Sequence, residues 1–387
     1  MSATAVSITP TEDEVVAQSL ASGAAGEALL AIERACGGTD TWDSARRSLA
    51  DAVAGGVDAA DHSGLFHGAP AIAFLLHQTI ADGQQRYERT RNDLNQHVRQ
   101  IARRRLHAAK DRIRSETAAA FAEYDVFYGL SGLAVVLLHS QPGCDELHGV
   151  LRYLVQLTEP FQRDGMTFPG WWVDHDPDPI LPTPGGHANN GMAHGAAGIL
   201  AVLAHATRRQ ILVDGQTEAI NRLCGWFDRW RQDSVNGPWW PQWLTREQLR
   251  CGRPGDGPVR PSWCYGAAGI GRALQIAAIA TSDQPRRRDA EATIAACLTD
   301  PQLDRFTEPG ICHGLAGLYQ TATRAAVDAA NPRIGQRLSG LAQRLIGTEM
   351  PADRAFLTGR TGVALATEAI RTGNPSITRW DACLLIA

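Results

Sequence analysis

Three side chains carry the plainest chemistry in the sequence. Cys264 stands in "WCYGAAGIG", Trp263–Gly271, and 48 residues later the pair Cys312 and His313 stands in "ICHGLAGLY". In both stretches the thiol lies two residues before a Gly-x-x-Gly device that leads into an apolar run. Two thiolates and one imidazole are the soft and borderline donors that suit Zn²⁺, and three protein ligands leave the fourth tetrahedral position for water or substrate. That is a catalytic pattern, because a structural zinc site more usually has four ligands. The competing reading is two buried thiols and a histidine at a helix start. The shared context of the two thiols favours the metal. The other cysteines, Cys36, Cys144, Cys224, Cys251, Cys297 and Cys383, show no framework spacing and lie in Ala-rich, Leu-rich or loop contexts, where a free thiol behaves as a small hydrophobe.

The elements that must position these residues follow from a repeat. The Gly-x-x-Gly frame occurs seven times, with its first glycine at Gly23, Gly68, Gly129, Gly195, Gly266, Gly314 and Gly359, and only the second copy replaces its second glycine, by Ala71. Ten or more good helix formers follow each copy, so each predicts the tight start of a helix. Glycine suits such a start because it tolerates positive φ and lets backbones approach closely. Between copies there is room for a second helix, as in "ETAAAFAEYD", "HGVLRYLVQLTEPF", "TEAINRLCGWFDRW", "RRRDAEATIAACL" and "IGQRLSGLAQRLIG". Strand signals are weak, and the Pro/Gly-rich intervals "DHDPDPILPTPGGHANNG" and "CGRPGDGPVRPS" read as loops. The expected fold is all-α, with roughly fourteen helices in pairs. The first and last copies are as strong as the rest and lack polar caps, which favours a closed ring over an open solenoid. A ring gathers the residues before each first glycine, Ser22, His67, Tyr128, His194, Tyr265, His313 and Thr358, at one end.

Composition narrows the function classes. With 387 residues, a net charge of −4 and a pI near 6.3, the chain has no global bias toward nucleic acid or anionic membrane. Its N-terminal stretch has no secretory pattern and no run is long enough to span a bilayer, so a cytoplasmic protein is expected.

Four motifs, "YDVFYGLSG", "NNGMAHGAAG", "RPSWCYGAAG" and "ICHGLAGLY", together with the sevenfold repeat, resemble the LanC-like lanthionine cyclases over nearly the whole chain. The resemblance implies an α,α-toroid of seven inner and seven outer helices, a single domain over residues 1–387, with a basic helical elaboration around residues 84–116. It implies zinc at Cys264, Cys312 and His313, and acid/base or orienting roles for Asp125, His194, Arg260 and Tyr265. Without it, Asp125 reads as a helix cap, His194 as an inner-ring histidine, Arg260 as a loop ion-pair partner and Tyr265 as packing. The implied reaction is Michael addition of a peptide Cys thiol to dehydroalanine or dehydrobutyrine, giving a thioether ring. A dehydrated precursor peptide would be the substrate and a dehydratase the partner.

Three functions remain open at this level: a free-standing cyclase, an enzyme that adds glutathione to dehydrated residues, and a zinc-containing scaffold for a dehydratase. His67 occupies a degenerate repeat and reads as structural or as part of a rim. The acidic run Asp174–Pro179 and His187 read as a loop at the substrate lip. The basic segment from Arg86 to Arg114 reads as a solvated helix, with docking of peptide or dehydratase as the alternative.

Overall fold

The computed structural model describes residues 11–178, 180–255 and 257–387. Residues 1–10 and Pro179, the end of the acidic run, lie outside them. Each of the seven glycine frames starts an inner helix: Ala24–Cys36, Ala69–Gln78, Leu130–Ser140, Ala196–Arg208, Ala267–Ala280, Leu315–Val327 and Arg360–Thr372. Each packs against the next and the seventh packs against the first, so the ring closes as an α,α-toroid. Several inner helices are buried on nearly every side, the fourth from Ala196 to Ala206 and the fifth from Ala267 to Ala278. The outer helices Trp42–Ala52, Glu88–Arg114, Asp145–Leu157, Gln216–Trp230, Gln284–Cys297 and Gly335–Ile346 each bury one stripe against them.

The glycines act by close approach. Six of the seven first glycines have extended backbone with negative φ; Gly68 alone, in the degenerate copy, has φ +71°. A Cβ on the second glycine of each regular copy would meet the carbonyl oxygen six residues earlier: 2.4 Å from Leu20 for Gly26, 2.2 Å from Val126 for Gly132, and 1.8 Å from Ile311 for Gly317. The loop before each helix is therefore pressed onto its first turn, where no side chain fits. Positive φ, expected from the sequence as part of the reason for glycine, applies to the second copy only.

These loops are joined into a belt by backbone hydrogen bonds. Leu20 N–H donates to Phe66 O, Val126 to Ala193, Met192 to Cys264, Cys264 to Cys312, Cys312 to Leu357, and Phe356 to Ala21, at 2.8–3.2 Å. Only the second-to-third junction lacks such a bond among the described residues. There the Arg105 guanidinium donates instead to Ser63 O, Tyr128 O and Ala122 O, bridging the two repeats.

The basic helix Glu88–Arg114 corrects two expectations. It packs on the second and third inner helices and is the outer helix of the second pair, not an addition to it. "ETAAAFAEYD", expected to be that outer helix, forms only the short turn Phe121–Tyr124. Nor is the basic helix a free positive face. Arg99 and Arg103 both bind the buried Glu146, Arg104 binds Asp61, and Arg112 binds Glu123.

Two small antiparallel pairs were not expected. Phe161–Arg163 (β1) and Met166–Phe168 (β2) form a hairpin over Asp164-Gly165, both at positive φ. His187–Asn189 (β3) pairs with Trp243–Thr245 (β4). After the seventh inner helix, Gly373 in the left-handed region turns the chain inward. Glu33 of the first inner helix accepts hydrogen bonds from Ile377 N, Thr378 N, Thr378 Oγ1 and Ser376 Oγ. Residues Trp380–Ile386 then fill the ring's centre, almost fully buried. Trp263 Nε1–H donates to Leu384 O, and Arg272 donates to Ile386 O from the fifth inner helix.

Candidate metal centre and active site

The belt loops bring the sequence-predicted residues to one end of the toroid. One ligand atom each of Cys264, Cys312 and His313 lie within 4.8 Å of one another. Cys264 is buried and the other two are half-buried. Their convergence follows from the repeat: two adjacent loops, joined by the Cys264 N–H to Cys312 O bond, place equivalent positions side by side. The hydrogen bond from Cys312 holds the Cys264 thiol well below its usual range, and His313 adds to this against the cost of burial. Cys312 is pushed up, chiefly by its hydrogen bond to Cys264, with burial and the charge on Cys264 adding to it. Two thiols this close need a cation if both are to ionise, and the donor set of two sulfurs and one imidazole fits Zn²⁺.

Glu308 stands behind this set. Its Oε1 is 3.0 Å from His313 Nε2 and 3.0 Å from Arg260 Nη1. A carboxylate on the outer nitrogen of an imidazole fixes its tautomer and orientation, as it does for metal-bound histidines.

The second group of residues surrounds His194. Its Nδ1 lies 2.6 Å from Asp125 Oδ2. The Asp125 side chain is fully buried, and its Oδ1 accepts from Tyr128 N–H and Gly129 N–H at 2.7 and 2.8 Å. Asp125 is thus not the helix cap expected from the sequence: the N-cap of the third inner helix is Gly129, without a side-chain cap, and the Asp125 carboxylate holds the loop before that helix and contacts His194. The His194 ring is stacked with Phe127 at 4.9 Å and Phe121 at 5.5 Å, and Tyr265 lies 6.2 Å away. Burial pushes the Tyr265 hydroxyl up from its usual range, keeping it protonated. His194 Nε2 has no hydrogen-bond partner among the described residues.

A family model described as lanthionine synthetase C-like protein matches residues 14–385. The chain belongs to this family. Among relatives of this lanthionine synthetase C-like protein, nisin biosynthesis protein NisC of Lactococcus lactis subsp. lactis is 23% identical over 266 residues. That match covers 66% of this chain and 60% of the relative's length. Among solved structures, a nisin cyclase has the same fold, with a TM-score of 0.81 over 96% of this chain and 93% of that one, at 18% identity.

Within this lanthionine synthetase C-like chain, several site neighbours escaped the sequence reading. Glu308 had a usable signal: it stands four residues before Cys312, as Arg260 stands four before Cys264, so adjacent repeats carry opposite charges at one offset. Phe121 and Phe127 had none, being two aromatics among many. His187 is fully buried on β3, with its ring 5.2 Å from Phe121. It belongs to the wall near His194 and not to an exposed lip. His67, six residues after the helix-free turn at Asp61, approaches Asp58 and His62. No described helix is long and apolar enough to cross a membrane.

Proposed function

We propose that the protein is a zinc-dependent cyclase that joins Cys thiols of a dehydrated peptide to dehydroalanine or dehydrobutyrine, forming thioether rings. The supporting observation is the juxtaposition of a Cys264/Cys312/His313 donor set with a buried Asp125–His194 pair at one end of the toroid. Family membership agrees with it, and the names of the similar proteins point to the same substrate class.

Cys264, Cys312 and His313 would hold the zinc, with Glu308 on His313 Nε2 leaving Nδ1 as the ligating nitrogen. Bound there, the metal would supply a lowered pKa to a substrate thiol while two protein thiolates keep that sulfur nucleophilic. The remaining work falls to the chain. Addition of sulfur to the alkene carbon leaves an enolate, which needs a proton on its α-carbon. His194 Nε2 is placed to give it, because Asp125 binds Nδ1 and stabilises the imidazolium before transfer. Phe121 and Phe127 hold the ring by stacking. Arg260, held by Glu308 through Nη1, offers its other nitrogens to the enolate oxygen. Tyr265 serves as a neutral donor beside His194.

The test is loss of free thiol in a dehydrated Cys-containing peptide, read by alkylation and mass spectrometry, with wild-type, metal-stripped and Asp125→Asn proteins at equal peptide occupancy. The cyclase reading expects rapid ring formation only with metal-loaded wild type. Equal rates in all three leave a scaffold. Glutathione adducts formed in preference to rings mean the glutathione-adding reaction instead. The same peptide, immobilised with candidate dehydratases, tests the proposed partner.

A further inference from the structure

A second convergence of ligating side chains lies outside the site just described. Asp58 Oδ2 is 2.6 Å from His62 Nε2 and 3.5 Å from His67 Nε2, and one ligand atom of each residue falls within 4.8 Å of the others. The two imidazoles lie face to face with centroids 6.0 Å apart. The carboxylate is fixed from several sides. Its Oδ1 accepts from Ala60 N–H at 2.8 Å, Asp58 N–H donates to Gln18 Oε1 at 2.7 Å, and Asp58 O accepts from Ala69 N–H at 2.7 Å. Oδ2 is left facing only the two rings. Arg104 of the basic helix, which reaches Ala59 O, is bound by Asp61.

Both imidazoles converge on one carboxylate oxygen, although a single ring would satisfy an ion pair. Two imidazole nitrogens and one carboxylate oxygen form a set complementary to a divalent ion of borderline softness, with positions open to solvent because His62 is exposed. The donors differ from the thiolate set in hardness, so the two sets would hold metal with different strength and different preference.

Placement adds a second argument. His67 directly precedes Gly68, the position that His194 and His313 hold in their own repeats, so the cluster lies at the same end of the toroid. Inner helix neighbours follow chain order around the closed ring. The second repeat is three steps from the fifth in one direction and three from the sixth in the other, which puts the cluster across the ring from Cys264, Cys312 and His313. We propose that Asp58, His62 and His67 form a second divalent-metal site, selecting Zn²⁺ or a similar transition ion, on the rim opposite the thiolate set. It stands independently of the cyclase reading.

The test is zinc titration of the full chain, first stripped by chelator, read by competition with a chromophoric chelator and by the imidazole nitrogen resonances of ¹⁵N-labelled protein. Wild type should bind two equivalents, the weaker one shifting the His62 and His67 ring signals. His62→Ala, an exposed change that spares the fold, should retain the first equivalent and weaken the second by at least about tenfold. Asp58→Asn, which keeps the contacts of Oδ1 and the backbone, should do the same. Cys312→Ala should lose the first equivalent and keep the second, so failure of the thiolate site is read separately. A single equivalent in wild type overturns the proposal. So does a second equivalent that is undiminished in both His62→Ala and Asp58→Asn, because it is then adventitious surface binding.

Discussion

Asp125 and His194, 69 residues apart in the chain, meet at 2.6 Å through Oδ2 and Nδ1, while Asp125 Oδ1 accepts from Tyr128 N–H and Gly129 N–H in the loop that leads into the third inner helix. One carboxylate thereby ties the His194 ring to the loop that starts a buried helix. Its position is set by backbone, and the ring follows.

That double duty separates two variants. Asp125→Asn keeps an oxygen for Tyr128 N–H and Gly129 N–H and loses the charge beside His194, so stability should fall by only about 1–2 kcal/mol. Thioether formation should nevertheless fall strongly. His194→Asn should slow it on the order of 10² to 10⁴-fold at unchanged zinc content. Turnover at the wild-type rate with zinc intact would reduce His194 to a packing residue.

Metal content should divide the Cys/Cys/His set from its support. Cys312→Ala, which removes one donor of the proposed zinc site, is expected to lower zinc content by elemental analysis. Glu308→Gln, which weakens the hold on His313, should weaken zinc affinity by roughly 10- to 100-fold without abolishing binding. Far-ultraviolet circular dichroism should stay near wild type in both, since the buried core does not depend on the metal. Equal zinc affinity in Glu308→Gln and wild type would remove Glu308 from the site.

The close approach behind the glycine frame can be tested by paired substitutions. Gly317→Ala sets a methyl 1.8 Å from Ile311 O, and relief must move the loop that carries Cys312 and His313. Zinc affinity and stability should drop together. Gly340→Ala, in the outer helix Gly335–Ile346 with nothing near its Cβ, should stabilise by about 0.5–1 kcal/mol. Urea unfolding and zinc competition of the two proteins decide it, and similar behaviour of both would refute the packing argument.

Arg105 occupies the one belt junction without a backbone bond. Arg105→Met leaves carbonyls of Ser63, Tyr128 and Ala122 without this donor, and should cost roughly 1–3 kcal/mol for each carbonyl that stays buried. Arg105→Lys should recover only part, because one ammonium cannot span the guanidinium's fork. Chemical denaturation gives the ranking, and an unchanged midpoint for Arg105→Met would show that the junction holds without it.

Acid should destabilise the toroid before its carboxylates titrate. Burial lowers the His205 ring to about 3 and His139 to about 4, whereas the unfolded rings titrate near ~6.5. The unfolded chain therefore binds more protons in this interval, so stability is fullest above pH ~6.5 and declines as pH falls toward the folded values. Each ring contributes a slope on the order of 1.4 kcal/mol per pH unit. His205→Gln, which still offers a donor to Leu385 O, should flatten the change in unfolding midpoint between pH 7 and pH 5. An identical slope would mean that His205 reaches solvent before unfolding.

Much of this molecule was readable because it is a repeat. Seven glycine frames announce seven inner helices, and equivalent offsets in neighbouring repeats point Cys264 and Cys312 to one another. Legibility failed where a copy departs from the pattern. The outer helix of the second pair was hidden by its arginines, which looked solvated but bind Glu146, Asp61 and Glu123. The hairpin at Asp164-Gly165 has a known turn signal, outweighed by its three-residue strands. The stacking of Phe121 and Phe127 on His194 depends on tertiary packing alone, which single-sequence patterns do not encode.

The segment Trp380–Ile386 occupies the axis of the ring and reaches Trp263, next to Cys264, from below. The axial path is thus blocked, and among the described residues the toroid is a cul-de-sac. A polymer cannot be threaded through it from one side to the other. A segment that reaches the Cys/Cys/His set has to enter and leave by the open end of the toroid. Whatever binds there is offered from one side and withdrawn to the same side, because the filled axis gives no second exit.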